Sequence, residues 1–262
     1  MLVIREAQMD GFGQAARSRF EQGMVELFLS NYPRECDQAG GKTQIGHLVR
    51  HGVKAAADRG FTSKRQVSAY LCLMFILGVD FASDPQLPWV ADLLDVNAIA
   101  DPTMRIDNLF EETLDYLGLT AGENCERVVR AMLRIRAFDL ADVPTTQGDD
   151  WITDVLAIFK RFYPEKFNHQ GETATRVMMK HGLTRARRYG FHEGPGIFVF
   201  LELMFMLGSG FDHDPLHPWA AAVLDDGAIP NECVRAEQLY AATLAHIEQS
   251  LSSPLPDESQ TS

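Results

Sequence analysis

Cysteine pairs and long apolar runs are both missing from this sequence. The four cysteines among its 262 residues are far apart and include no CxxC spacing, which argues against a disulfide framework or a cysteine-based zinc site. No stretch of about 18 apolar residues occurs that could span a bilayer. The apolar start is only four residues long, shorter than a signal peptide requires. We therefore expect a cytoplasmic protein without a membrane segment.

Positive charge is also scarce. Lys and Arg total 24 against 36 Asp and Glu, which gives a formal net charge of −12, and there is no long basic run. This balance argues against non-specific binding to nucleic acids or anionic membranes, which needs clustered Lys and Arg. It permits a basic protein partner. With 46% hydrophobic and 23% charged residues, the chain has the composition of an ordinary globular protein, and its length suits two domains.

Strand patterns and catalytic signatures are absent from the sequence as well. No segment shows sustained alternation of apolar and polar residues between turn signals, so we predict an all-α fold. There is no nucleophile elbow, no phosphate-binding loop and no dinucleotide fingerprint. We expect neither enzymatic activity nor a cofactor.

A tandem duplication is the strongest positive feature. His51–Leu117 aligns without a gap on His181–Ile247 at a constant offset of 130 (181 − 51), and about 25 of roughly 67 positions are identical. Each unit has the size of a small independent domain. We therefore predict an N-terminal helix with the first repeat over 1–119, a connecting helix and linker over 120–149, the second repeat over 150–250 and a disordered tail over 251–262.

Helical periodicity divides the first repeat into successive helices. The first stops before Pro33 and the second ends near Gly60. The third and most apolar helix runs from Thr62 or Ser63 to Gly78. A connector, a short helix and a closing helix complete the repeat, and the second repeat follows the same order.

Few polar residues are identical in both repeats. Asp84 and Asp214 precede prolines, and we predict that they bond amides of their own turns. The histidines His51 and His181 are predicted to be helix-packing residues, because no shared nucleophile or ligand accompanies them. Two tryptophans are expected to be buried anchors. The structural signature of the repeat therefore comprises His51, Asp84, Trp89, His181, Asp214 and Trp219.

Two features of the second repeat have no equal in the first. Asp212, His213 and His217 in its connector have the ligand chemistry of a transition-metal site. A loop does not enforce metal geometry as two histidines one helical turn apart do, so we predict no metal there. The other feature is a basic cluster on the second helix, either a partner-binding surface or a solvated face; it comprises Arg176, Lys180, Arg185, Arg187 and Arg188.

One set of motifs resembles a known family. The first repeat combines Val3–Met9, Arg50–Gly52, Leu73–Gly78 and Asp84–Trp89. As a set, these motifs are similar to those of a family of bacterial proteins often encoded beside type VI secretion spike, adaptor and effector genes. The resemblance implies an accessory role in secretion and assigns no catalytic residue.

Three functional hypotheses follow. The first is a non-enzymatic protein-binding accessory, a chaperone or co-adaptor for a type VI secretion effector or its adaptor. The first alternative is an immunity protein that neutralises a cognate toxin, since an acidic surface complements a basic active site. The second alternative is a metal-dependent enzyme that uses Asp212, His213 and His217.

Overall fold

The computed structural model describes residues 6–146, 148–192 and 194–252, and within these ranges it contains helices and no strand. The predicted all-α class is confirmed. None of the described helices is both long and apolar enough to cross a membrane. The helices are α1 (Glu6–Asn31), α2 (Pro33–Gln38), α3 (Lys42–Asp58), α4 (Lys64–Leu77), α5 (Pro88–Leu94), α6 (Pro102–Thr120), α7 (Glu126–Arg136), α8 (Gly148–Phe162), α9 (Pro164–Ala186), α10 (Gly194–Leu207), α11 (Pro218–Leu224) and α12 (Glu232–Leu251).

Local signals in the sequence explain where the helices begin and end. Ser63 caps α4 in a reciprocal capping box with Gln66, which satisfies two otherwise free amides. Proline stands in the first turn of six described helices, where its missing N–H costs nothing; these are α2, α5, α6, α9, α10 and α11. Gly60 and Gly190 follow the second helix of each repeat with positive φ, which glycine adopts without strain.

The helices repeat along the chain as the sequences do. Helices α4, α5 and α6 begin 130 positions before α10, α11 and α12, respectively (194 − 64, 218 − 88 and 232 − 102). The second half of α1 corresponds to α8. Helices α2 and α3 correspond to α9, which runs through a break at Gly171 with φ 80°. The two repeats therefore share one helical scaffold.

Each repeat has its own hydrophobic core. The first contains Phe28, Ile45 and Tyr70, and the second contains Phe159 and Phe200. One residue of the second repeat, Leu216, also packs against the first core. The two cores are therefore separate, and the connectors that follow α4 and α10 lie where they meet.

The two central helices of each repeat pack closely at a glycine. A side chain at Gly52 would collide with Leu71 and would lie 2.9 Å from the Met74 sulfur. Gly182 stands in the same relation to Leu201 and Met204 in the second repeat. The glycines shared beside His51 and His181 therefore permit close helix packing.

The segment between the repeats, for which we predicted a connecting helix and a linker, contains helix α7 and packs on the second repeat. Helix α7 buries Ala131 and Ile135, and Val143 is buried in the core of the second repeat. This segment is part of the second repeat because its apolar face packs on α8 and α12. At the N-terminus, α1 is one continuous helix from Glu6 to Asn31. The predicted disordered tail lies, apart from its first two residues, outside the described residues.

Candidate functional site

The two repeats meet back to back at a pair of equivalent glycines. Gly78 and Gly208 end α4 and α10 with φ 97°. A side chain on Gly78 would lie 3.0 Å from the carbonyl oxygen of Leu207, and one on Gly208 would lie 3.0 Å from that of Leu77. Only glycine allows the two backbone segments to approach this closely at that backbone geometry.

Two equivalent aspartates cross this junction in opposite directions. Asp84 Oδ2 accepts a 2.8 Å hydrogen bond from the Ser209 amide, and Asp214 Oδ2 accepts one of 2.9 Å from the Val79 amide. Their other oxygens accept amide bonds from their own turns, as the sequence suggested. Burial raises the pKa of both carboxyls, and the amide bonds oppose that shift. Each aspartate therefore stabilises its own connector and binds the other repeat.

A charged cluster lies beside these aspartates. Arg185 is buried and forms an ion pair with Asp212, and its guanidinium is 3.6 Å from Asp80 of the first repeat. His213 lies 3.0 Å from Asp212 and 3.4 Å from Asp80. The hydrogen bonds to Asp212 and Asp80 raise the pKa of His213 to about 9, so its imidazolium charge adds to the contact between repeats.

This cluster accounts for two of the three residues in the suggested metal loop. Asp212 is bound to Arg185, Tyr189 and His213. His217 points elsewhere, beside Trp219 and His246, and burial lowers its pKa to about 4. The loop therefore does not bring its three candidates together. Within the described ranges, no group of three or more His, Cys, Asp or Glu residues could hold a metal ion.

A cavity of about 590 Å³ opens between the repeats next to the junction. Lys166 lines it and donates to the Phe205 carbonyl, and the Tyr163 hydroxyl donates to Glu202 over 2.7 Å. Burial raises the pKa of Glu202 to about 7, against the opposing effects of Tyr163 and Lys166. Burial also lowers the pKa of Lys166 to about 8. These groups form a buried polar contact between α9 and α10 at the cavity wall.

Replacing Glu202 by Gln is expected to change how stability depends on pH. The pKa of Glu202 is about 7 in the folded protein and 4.5 as its reference value, so its contribution is fully present below pH 4.5 and is lost as pH rises to 7. Glu202→Gln removes this loss and keeps an acceptor for Tyr163. Urea unfolding at pH 5 and at pH 7.5 measures the difference in unfolding free energy between the variant and wild type. From pH 5 to pH 7.5 this difference should shift in favour of the variant by about 1 to 3 kcal/mol. Equal differences at the two pH values would contradict this assignment.

The remaining signature residues occupy different environments from those that we predicted. His51 and His181 are exposed, because their glycine neighbours, not the imidazoles, face the helix contact. Trp89 and Trp219 are half-buried, and each has a buried indole N–H without a hydrogen-bond partner among the described residues. They are therefore partial anchors at the surface of each repeat.

The basic cluster does not form one surface. Arg185 belongs to the buried junction, which contradicts its place in a partner-binding cluster, and Arg176 pairs with Glu172 at 2.8 Å. Lys180, Arg187 and Arg188 are exposed. A continuous basic face is therefore reduced to three side chains.

The outer side of α6 exposes an apolar stripe that no sequence pattern had singled out. The exposed fraction is 38% for Phe110 and 56% for both Met104 and Leu114. Gly118 continues the stripe one turn further, and a side chain there would meet nothing within 4 Å. We call Phe110, Leu114 and Gly118, together with the flanking carboxylates of Glu111, Glu112 and Asp115, the α6 face.

The equivalent stripe of the second repeat is partly covered by α7 and the turn that follows it. Positions 130 further along are Tyr240, Leu244 and Glu248 on α12. The Tyr240 hydroxyl donates to the Phe138 carbonyl over 2.6 Å, and Glu248 pairs with Arg136 of α7 at 3.2 Å. The first repeat has no described helix in this place. Aligning the two repeats shows that α7 has no described counterpart in the first repeat. This difference would have pointed to the α6 face from sequence alone.

Comparison of this chain with the known protein families, with curated proteins and with solved structures gives no match.

Proposed function

We propose that this protein is a non-enzymatic protein-binding accessory and that the α6 face is its partner-binding surface. The observation that carries the proposal is the exposure of Phe110 and Leu114, since Tyr240, the equivalent of Phe110, hydrogen-bonds the α7 segment and Leu244, the equivalent of Leu114, is half-buried. An exposed apolar stripe with a polar rim is typical of a protein interaction site.

The junction supports this role by fixing the two repeats to each other. Asp84 and Asp214 bond across it, and the Arg185 cluster adds charge pairs between the repeats. A rigid scaffold presents a preformed surface and spares the ordering cost of binding.

The resemblance of the first repeat's motifs supports a type VI secretion effector or its adaptor as the partner. As a chaperone or co-adaptor, the protein would bind the adaptor or the delivery region of the effector. An immunity protein would instead bind the toxin domain and suppress its activity.

Substitution of the α6 face is expected to abolish partner capture. The protein is co-expressed with the products of its neighbouring genes, and wild type is compared with a Phe110→Asp, Leu114→Asp variant. A matched control is Val177→Asp, since Val177 is 53% exposed on α9 of the second repeat. We expect wild type and the control to retain an adaptor or effector and the double variant to lose at least nine-tenths of it.

Two results separate the alternatives. Equal capture by the double variant and by wild type would contradict the assignment of the α6 face. Once a partner is captured, co-expression with the active effector distinguishes the roles, because an immunity protein abolishes toxicity whereas a loading partner leaves it intact.

A further inference from the structure

We infer that the partner element that binds the α6 face is a basic amphipathic helix, placed against α6 as α7 is placed against α12 within the second repeat. This inference rests on the proposed function, because it names the chemistry of the partner at the same surface. It follows from comparison of the two copies of one scaffold.

The second repeat shows how such a helix binds. Helix α7 turns Ala131 and Ile135 into the core. The hydroxyl of Tyr240 also approaches the Ile135 carbonyl at 3.3 Å, so a residue of the α12 stripe bonds the C-terminal end of α7. Arg136 pairs with Glu248 at the same end. The contact therefore combines an apolar face, a helix-end hydrogen bond and one charge pair.

The first repeat keeps the apolar part of this stripe, has Phe110 and Gly118 in place of the Tyr240 hydroxyl and the Glu248 carboxylate, and carries more negative charge around it. Glu111, Glu112 and Asp115 of α6 stand where α12 has Ala241, Ala242 and Ala245. Glu111 and Asp115 are exposed, and none of the three forms an ion pair with another described residue. Clustered carboxylates beside an apolar stripe favour a partner with complementary positive charge. The occupant should therefore be at least as basic as α7, which carries Arg127, Arg130, Arg134 and Arg136.

One end of the surface differs in shape. After α7, the Phe138 ring packs 5.3 Å from that of Phe162 and 5.4 Å from that of Phe198. Because Tyr32 and Pro33 match Tyr163 and Pro164 at an offset of 131, Phe162 corresponds to Asn31, and Phe198 corresponds to Ser68 at the offset of 130. The partner helix therefore needs no aromatic residue after its last turn, and a peptide that stops at Arg136 contains the elements required.

The experiment uses a fluorescein-labelled peptide of residues 126–136 and the full-length protein. The peptide should find the first repeat free, because the binding site on the second repeat is filled by the tethered α7 at high effective concentration. We expect saturable anisotropy at low salt, with one site per protein. Binding should weaken at least tenfold with Gly118→Arg, which adds bulk and positive charge into open space. It should change less than twofold with Gly227→Arg, at an exposed loop position that is equally free of neighbours.

A second peptide, in which glutamine replaces the four arginines of α7, tests the charge. It should bind at least tenfold more weakly at low salt, since the carboxylates of α6 lose their partners. Equal affinity of the neutral peptide would overturn the basic character of the occupant. Failure of the α7 peptide to saturate, or binding that ignores Gly118→Arg, would overturn the inference. Partner capture that still depends on Phe110 and Leu114 would in that case leave the proposed function standing.

Discussion

Asp214→Ala is expected to lower the free energy of unfolding by about 2 to 4 kcal/mol, and Asp84→Ala by a similar amount. Each substitution removes charge-assisted hydrogen bonds and leaves the buried amide of Val79 or Ser209 in the opposite repeat without its partner. Urea denaturation followed by circular dichroism measures both losses. The Asp84→Ala, Asp214→Ala double variant should unfold in two steps, with separation of the repeats before their cores unfold.

Asp95→Ala is the matched control. The Asp95 side chain is exposed and, among the described residues, accepts hydrogen bonds only from the amide and the side chain of Asn97, within its own turn. We expect a loss below about 0.5 kcal/mol. A comparably small loss for Asp214→Ala would show that the aspartates serve only their own connectors and that the repeats are held together by other contacts.

Gly78→Ala and Gly208→Ala are expected to destabilise the protein strongly, although each adds a single methyl group. The φ of 97° at both positions is strained for any residue with a Cβ, and that Cβ would lie 3.0 Å from a backbone oxygen of the other repeat. Backbone atoms at a packed junction do not move aside as a flexible side chain does. We expect a loss of about 2 to 5 kcal/mol for each, from strain and overpacking combined.

The same substitution at Gly118 should change the stability in the opposite direction. Gly118 lies inside α6, where a side chain meets nothing within 4 Å. Gly118→Ala should therefore stabilise the protein by about 0.5 to 1 kcal/mol, because alanine loses less backbone entropy in a helix. Thermal unfolding of the three variants at one pH compares them directly. Destabilisation by Gly118→Ala, or tolerance of alanine at Gly208, would contradict the geometry described for these sites.

Much of the fold is predictable because its signals are local. Pro33, the capping residue Ser63 and Gly60 each act within a few residues, and the helices begin and end where these residues predict. The duplication was equally visible, because identity at a constant offset requires no knowledge of contacts.

The contacts between repeats were not predictable in the same way. Asp84 before a proline indicates a turn, and nothing near it in sequence shows that its second oxygen accepts the amide of Ser209, 125 residues away. Arg185 looked like one of several surface charges until the fold placed it beside Asp80 and Asp212. The error for His51 is of another kind, since identity in both copies reflects the glycine beside it as much as the histidine itself.

The α6 face could not be found by periodicity alone. Phe110 and Leu114 fall on a helix whose pattern is amphipathic, and one turn of spacing does not distinguish a buried stripe from an exposed one. The second repeat supplies the missing information, because it has the covering helix α7 where the first repeat leaves Phe110 and Leu114 exposed.

Hydroxyl-radical footprinting of the protein with and without its captured partner tests the central claim most directly. Met104, Phe110 and Leu114 carry reactive side chains that are exposed in the free protein, and Val177 provides an exposed reference on the second repeat. We predict that oxidation of the three α6 side chains falls several-fold in the complex while that of Val177 is unchanged. Unchanged oxidation of Phe110 and Leu114 in a saturated complex would contradict the α6 face as the partner-binding surface.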